Sequence, residues 1–178
     1  MANTVDAEYY AQLNADKSSP QLNFATQYKA APGSTFKIVS ATAGLMENVI
    51  NLQTRVNCVE TFTEITPSPR CWKISGHGYE NVTSAIRDSC NYFFYNVGYQ
   101  LATSSGSYNE EAGLDTLSKY ADLYGLTDKS GVEIGEYAPD VSTKDPVRSA
   151  IGQGSNSYTT VGPVSYTHLR AHETDSYL

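Results

Sequence analysis

Four residues of this chain have the types and spacing for acyl-transfer chemistry: Ser34, Lys37, Ser89 and Asn91. Ser34 and Lys37 stand three apart in PGSTFK, so on a helix they share one face. Ser34 falls at or just inside the helix start, where backbone N–H groups lack carbonyl partners and the dipole is positive. A hydroxyl there is placed to attack a carbonyl carbon. Lys37 can take its proton if burial leaves the amine neutral, and the Ser34 N–H can supply half of an oxyanion hole. Taken alone, the same letters describe a helix N-cap and a surface lysine. The second triplet, Ser89-Cys90-Asn91, lies between two helical runs. Its hydroxyl can relay a proton, and its amide can hold an amine or a carbonyl.

The elements that must position these groups are mostly helical. STFKIVSATAGLMENVI places Phe36, Val39, Ala43 and Met46 at helical spacing, with Ile38, Ala41 and Leu45 on an adjoining line. So wide an apolar arc predicts a helix buried on most sides. NVTSAIRDS predicts a helix capped by Asn81 or Thr83. SCNYFFYNVGYQLA predicts another, with Tyr92, Tyr95 and Tyr99 on one line and Phe93, Val97 and Leu101 on the next. LDTLSKYADLYGL predicts an amphipathic helix with Leu114, Leu117, Tyr120, Ala121 and Tyr124 as its stripe and Gly125 as its stop. Residues 1–31 read as a long polar loop, VNCVETFTEI as a short strand, and TDKSGVEIGEYAPD as turn, short strand and turn.

Composition narrows the function classes. The 178 residues suggest one domain, and a net charge of −7 argues against a nucleic-acid partner. No run approaches the roughly 20 apolar residues of a membrane-spanning helix, and MANTVDAEYY lacks signal-peptide features. Cys58, Cys71 and Cys90 are too few for a disulfide scaffold, and without a C-x-x-C pair a thiolate zinc site has no nucleus. Cys58 and Cys71 bracket a Thr/Pro-rich loop and are either bridged or two unpaired thiols. His168 and His172 stand four apart with Glu173 beside them, a zinc-type spacing without a third ligand. The expectation is therefore no metal and no cofactor.

APGSTFK, GHG, SCNYFFY, GVEIGE and DPVRSAIGQG, in that order from about Ala2 to about Gly162, resemble the transpeptidase domain of class B penicillin-binding proteins, the elongation type above all. The resemblance implies an α/β parent of the β-lactamase/transpeptidase-like fold, represented here by a mainly helical portion with a few short strands. It implies that Ser34 is acylated by the penultimate D-Ala carbonyl of a peptidoglycan stem peptide, or by a β-lactam. Lys37 would be the base, Ser89 the proton shuttle to the leaving group, and Asn91 the partner of Lys37 and of the substrate backbone. Cys90 would fill a variable position. The parent would be anchored in the cell membrane with this domain on the extracytoplasmic face, in a cell-wall elongation complex.

The family also needs a Lys-Thr-Gly or Lys-Ser-Gly strand. Lys129-Ser130-Gly131 has the letters, but it follows turn chemistry, GLTD, rather than a strand run. Residues 1–162 are therefore read as a partial domain, and residues 163–178 (PVSYTHLRAHETDSYL) as a tail resembling translated adapter DNA. Such a portion is expected to be inactive by itself and marginally stable, its helices lacking the sheet they pack on. Two other readings stand beside the transpeptidase. One is a non-catalytic β-lactam-sensing or degenerate binding module. The other is a serine β-lactamase, for which Glu133 and Glu136 fall in the region of a deacylating carboxylate.

Overall fold

The computed structural model describes residues 6–164, so the expectations placed on His168, His172, Glu173 and most of 163–178 lie outside the described residues. In chain order the elements are α1 (Ala7–Ala15), α2 (Phe24–Gln27), β1 (Lys29–Ala30), a 3-10 turn (Gly33–Phe36), α3 (Lys37–Met46), β2 (Val56–Cys58), β3 (Gly78–Glu80), α4 (Val82–Arg87), α5 (Asn91–Thr103), α6 (Glu110–Leu123), α7 (Pro146–Ser149) and β4 (Tyr158–Thr159). Helices dominate, as the resemblance implies. The strands form two antiparallel pairs, β1 with β4 (Lys29 opposite Thr159) and β2 with β3 (Val56 opposite Glu80, Cys58 opposite Gly78).

α5 is the spine. Phe93, Phe94, Val97 and Leu101 are all buried, and the helix packs on α3, α6 and α7. Its second line is amphipathic: Tyr95 is buried while Tyr92 and Tyr99 pack on the core edge, where all three rings contact Phe62. α3 contributes Val39, Ala41 and Ala43 to the same core. Met46, expected on the buried line, is exposed at the last residue of α3. α4 is capped by Asn81 rather than Thr83, in a reciprocal box with Ser84. α6 starts at Glu110, ahead of its apolar stripe, because Asn109 accepts from the Ala112 N–H.

Two further expectations fail. The first 31 residues are not all loop: α1 forms with Asp6 capping Glu8, yet buries no residue. A helix with no core face leaves no apolar period to detect. The GVEIGE stretch forms no strand. Ser130 there bonds the Glu136 carboxylate instead of a β-ladder, and Gly131 is left-handed at φ +83°. Lys129-Ser130-Gly131 lies on this loop, outside any strand.

Candidate active site

Ser34 lies in the 3-10 turn and Lys37 opens α3, so the two share one face as their spacing requires. What holds that turn is distant in sequence. The Gly33 N–H donates to the Gly152 carbonyl at 3.0 Å. Gly152 has φ +73°, and a Cβ there would lie 2.1 Å from the Gly33 oxygen, so only glycine permits the approach. One turn along α3, buried Ser40 donates to the Ala150 carbonyl at 2.7 Å. The IGQG loop is thus the floor under the serine turn.

All four residues singled out by chemistry meet. Lys37 Nζ donates to the Ser89 carbonyl (2.7 Å), Ser89 Oγ (2.9 Å) and Asn91 Oδ1 (2.6 Å). These three acceptors satisfy all three N–H groups of an ammonium. Ser89 Oγ in turn donates to Ser34 Oγ at 2.9 Å, so the hydrogen-bonded path between Ser34 and Lys37 runs through Ser89. Lys37 is only 2% exposed, with Phe94 under its amine, whereas Ser34 is open to solvent. Burial pulls the lysine from 10.5 down to about 8, against the upward pull of nearby Cys90 and Cys71. Roughly a tenth of the amine is then neutral at pH 7.

Ser89 adopts φ +51°, a left-handed conformation that costs a non-glycine residue about 1–2 kcal/mol. Two donors on its carbonyl hold it there: Lys37 Nζ and the indole N–H of Trp72, at 3.0 Å. Trp72 is the only tryptophan of the chain, and no spacing argument points to it. Its ring stands edge-on to His77, 5.1 Å between centroids.

His77 belongs to a second polar centre. Its Nδ1 lies 3.6 Å from Cys58 Sγ and 3.5 Å from Cys71 Sγ, and Cys90 completes the group, with all four ligand atoms within 4.8 Å of one another. All three thiols are free and buried, so the possible Cys58–Cys71 bridge is not formed. The expectation that a thiolate site has no nucleus fails. The fold assembles one from the end of β2, the 71–77 loop and the residue before α5, which no C-x-x-C search detects. The Cys90 thiol hydrogen-bonds Cys71, lowering the latter's pKa and raising its own. Three thiols and an imidazole are a structural ligand set for zinc. Close packing builds the pocket: a Cβ on Gly76, at φ +68°, would lie 2.1 Å from the Cys58 carbonyl.

Glu136 has both carboxylate oxygens engaged, one by Ser130 and the other by Thr159. That removes it as a free base for water and weighs against the β-lactamase reading.

Comparison with known proteins adds a family to this geometry. The model of the penicillin binding protein transpeptidase domain matches residues 2–171. The peptidoglycan D,D-transpeptidase MrdA of Salmonella typhimurium is 31% identical over 131 residues, 71% of this chain and 19% of that protein. Stage V sporulation protein D of Bacillus subtilis is 32% identical over 104 residues, 58% of this chain and 14% of that protein. The chain thus spans less than a fifth of the length of these curated relatives. Among solved structures, penicillin-binding protein PBP2 of Helicobacter pylori in complex with MreC superposes with a TM-score of 0.80 at 26% identity, covering 93% of this chain and 32% of that one. The family model covers the helical spine and the serine–lysine turn along nearly the whole chain: the chain belongs to the penicillin-binding protein transpeptidase domain family.

Proposed function

We propose that the protein carrying this chain is a serine D,D-transpeptidase that cross-links peptidoglycan stem peptides and is acylated by β-lactams at Ser34, with residues 1–162 as the part of the domain that bears the acylation site. The observation that carries this reading is the continuous path Ser34 Oγ–Ser89 Oγ–Lys37 Nζ. Ser34 Oγ attacks the penultimate D-Ala carbonyl. Its proton passes to Ser89, whose own proton passes to neutral Lys37. The oxyanion forms against the Ser34 N–H at the positive end of the helical turn. Collapse expels the terminal D-Ala amine, which takes a proton back along the same path, and leaves an ester on Ser34. An amine from a second stem peptide then attacks the ester and frees Ser34. Asn91 keeps Lys37 aimed throughout, since the 2.6 Å contact fixes the amine against the Ser89 hydroxyl.

The similarity to the PBP2 solved with MreC supports a place in a cell-wall elongation complex on the extracytoplasmic face of the membrane. Intact-mass measurement of the full-length protein that carries this chain, after exposure to a penicillin, tests the assignment. One adduct per chain, absent in Ser34→Ala, is expected. No adduct, or one on another residue, overturns it, and rapid loss of the adduct would restore the β-lactamase reading.

A further inference from the structure

Asn156 lies off the proton path, yet its buried amide, 5% exposed, uses every hydrogen-bonding position it has. Nδ2 donates to the Gln153 carbonyl at 2.9 Å and to the Ser149 carbonyl at 3.4 Å. Oδ1 accepts from the Ser142 N–H at 3.0 Å and from the Tyr158 hydroxyl at 3.3 Å. We propose that Asn156 is a positioning residue for the nucleophile: it pins both ends of the Ser149–Gln153 loop and, through Gly152 and Tyr158, fixes both ends of the turn that carries Ser34. The proposal rests on the assignment of Ser34 as the acylated residue.

Two routes lead from this amide to the serine turn. The first runs through the loop. Ser149 and Gln153 are its first and last residues, and Asn156 bonds the carbonyl of each. Within the loop the Gly152 N–H donates to the Ser149 carbonyl at 2.9 Å, and the Gly152 carbonyl turns outward to accept from the Gly33 N–H. Gly33 is the residue before Ser34. The second route runs through an aromatic ring. Buried Tyr158 has its hydroxyl on Asn156 and its ring 6.4 Å from that of Phe36, centroid to centroid. Phe36 closes the 3-10 turn that Gly33 opens. Holding Gly33 and Phe36 holds Ser34 between them, so Asn156 acts on the nucleophile through other residues.

The neighbourhood also says what its removal does. Ser149 Oγ donates to Ser142 Oγ at 2.6 Å, and Ser142 Oγ accepts from the Ser155 N–H at 3.0 Å. These bonds keep the 142 segment on α7 without the amide. Truncating Asn156 therefore loosens the loop, where two carbonyls lose a donor, more than it unfolds the domain. A shift of about 1 Å at a reacting group can cost about a hundredfold in rate.

The test uses the full-length protein that carries this chain, with a penicillin as the acylating probe, and separates binding from acylation by varying the penicillin concentration. Asn156→Ala should slow the acylation step about ten- to a hundredfold, with the preceding non-covalent binding changed less than about twofold. In hydrogen exchange the peptide holding Gly33 should exchange faster than in wild type, while peptides of α5 keep their rates. Asn156→Asp keeps the oxygen facing Ser142 and Tyr158 but removes both donors to the loop, so it should match the alanine variant. Tyr158→Phe keeps the ring on Phe36, buries no charge and removes one bond to Oδ1; it should slow acylation about two- to fivefold. A wild-type acylation rate in Asn156→Ala or Asn156→Asp would overturn the proposal, and so would slowing accompanied by faster exchange throughout α5, the mark of a general loss of stability. If the position-156 variants do not fold, a wild-type rate in Tyr158→Phe overturns it. A wild-type protein that is not acylated refutes the transpeptidase assignment, whereas a wild-type protein acylated at Ser34 beside an unimpaired Asn156→Ala refutes the positioning role alone.

Discussion

The two polar centres on either side of Cys90 are built by opposite means. The serine–lysine net takes its members from helix starts: Ser34 and Lys37 from one turn, Asn91 from the first residue of α5, and Ser89 from the bend just before it. Each is placed by short-range geometry, and only one long-range step, α3 onto α5, is needed to join them. The thiol–imidazole centre takes its members from three separate places, none of them a helix interior. It exists only where the β2–β3 hairpin, the 71–77 loop and the turn before α5 are packed together. The lesson is that a buried polar cluster can be local in space and invisible in spacing. The two centres also differ in exposure: the net opens to solvent at Ser34, while the three sulfurs are closed off.

The contrast is broken most severely at Lys37. Lys37→Met should lower penicillin acylation about a thousandfold or more, since it removes the base outright. In the wild-type protein the acylation rate should climb with pH through about 8, the value to which burial holds the amine. A flat profile from pH 6 to pH 9 would reject the lysine as base. The same depression has a stability signature. Between about 8 and 10.5 the unfolded lysine is protonated and the folded one is neutral, so its contribution to stability rises with pH across that window. Chemical denaturation should therefore show the advantage of Lys37→Met over wild type shrinking as pH rises.

Next in size is Ser89→Ala, which cuts the path between Ser34 and Lys37 and should cost about a hundredfold in acylation with little change in zinc binding. Zinc binding that falls with it would show that the two centres are one. Gly152→Ala strikes the floor of the net alone. With a left-handed backbone and a Cβ 2.1 Å from the Gly33 oxygen, it should destabilise the fold by about 2–3 kcal/mol, read as a lowered denaturation midpoint. Trp72→Phe is the smallest and most discriminating change. It keeps a ring beside His77 but removes one hydrogen bond to the Ser89 carbonyl, worth about 1 kcal/mol, read as a slightly lowered denaturation midpoint together with an acylation rate slowed by about fivefold at most. An unchanged rate would mean that Lys37 holds the Ser89 carbonyl without help.

The helices were legible wherever an apolar stripe faced a core. Phe93, Val97 and Leu101 are buried as their spacing requires, and so are Leu114, Leu117 and Tyr120. α1 was not legible, because it has no core face to leave a period. The four site residues were legible because nucleophile and base share one helical face and the relay triplet begins another helix. Trp72 and the IGQG floor were not, since an indole N–H on a backbone carbonyl and a glycine under a turn depend on pairs 17 residues apart in one case and over a hundred in the other.

By itself, then, the sequence determined the helical spine, the face shared by Ser34 and Lys37, and the family to which such motifs belong. Local periodicity and i, i+3 geometry suffice for those. Only the tertiary structure decided that Ser89 lies between Ser34 and Lys37, that burial brings the lysine within reach of neutrality, and that three cysteines and His77 converge. Distance, desolvation and convergence are properties of packed surfaces, and no spacing along the chain encodes them.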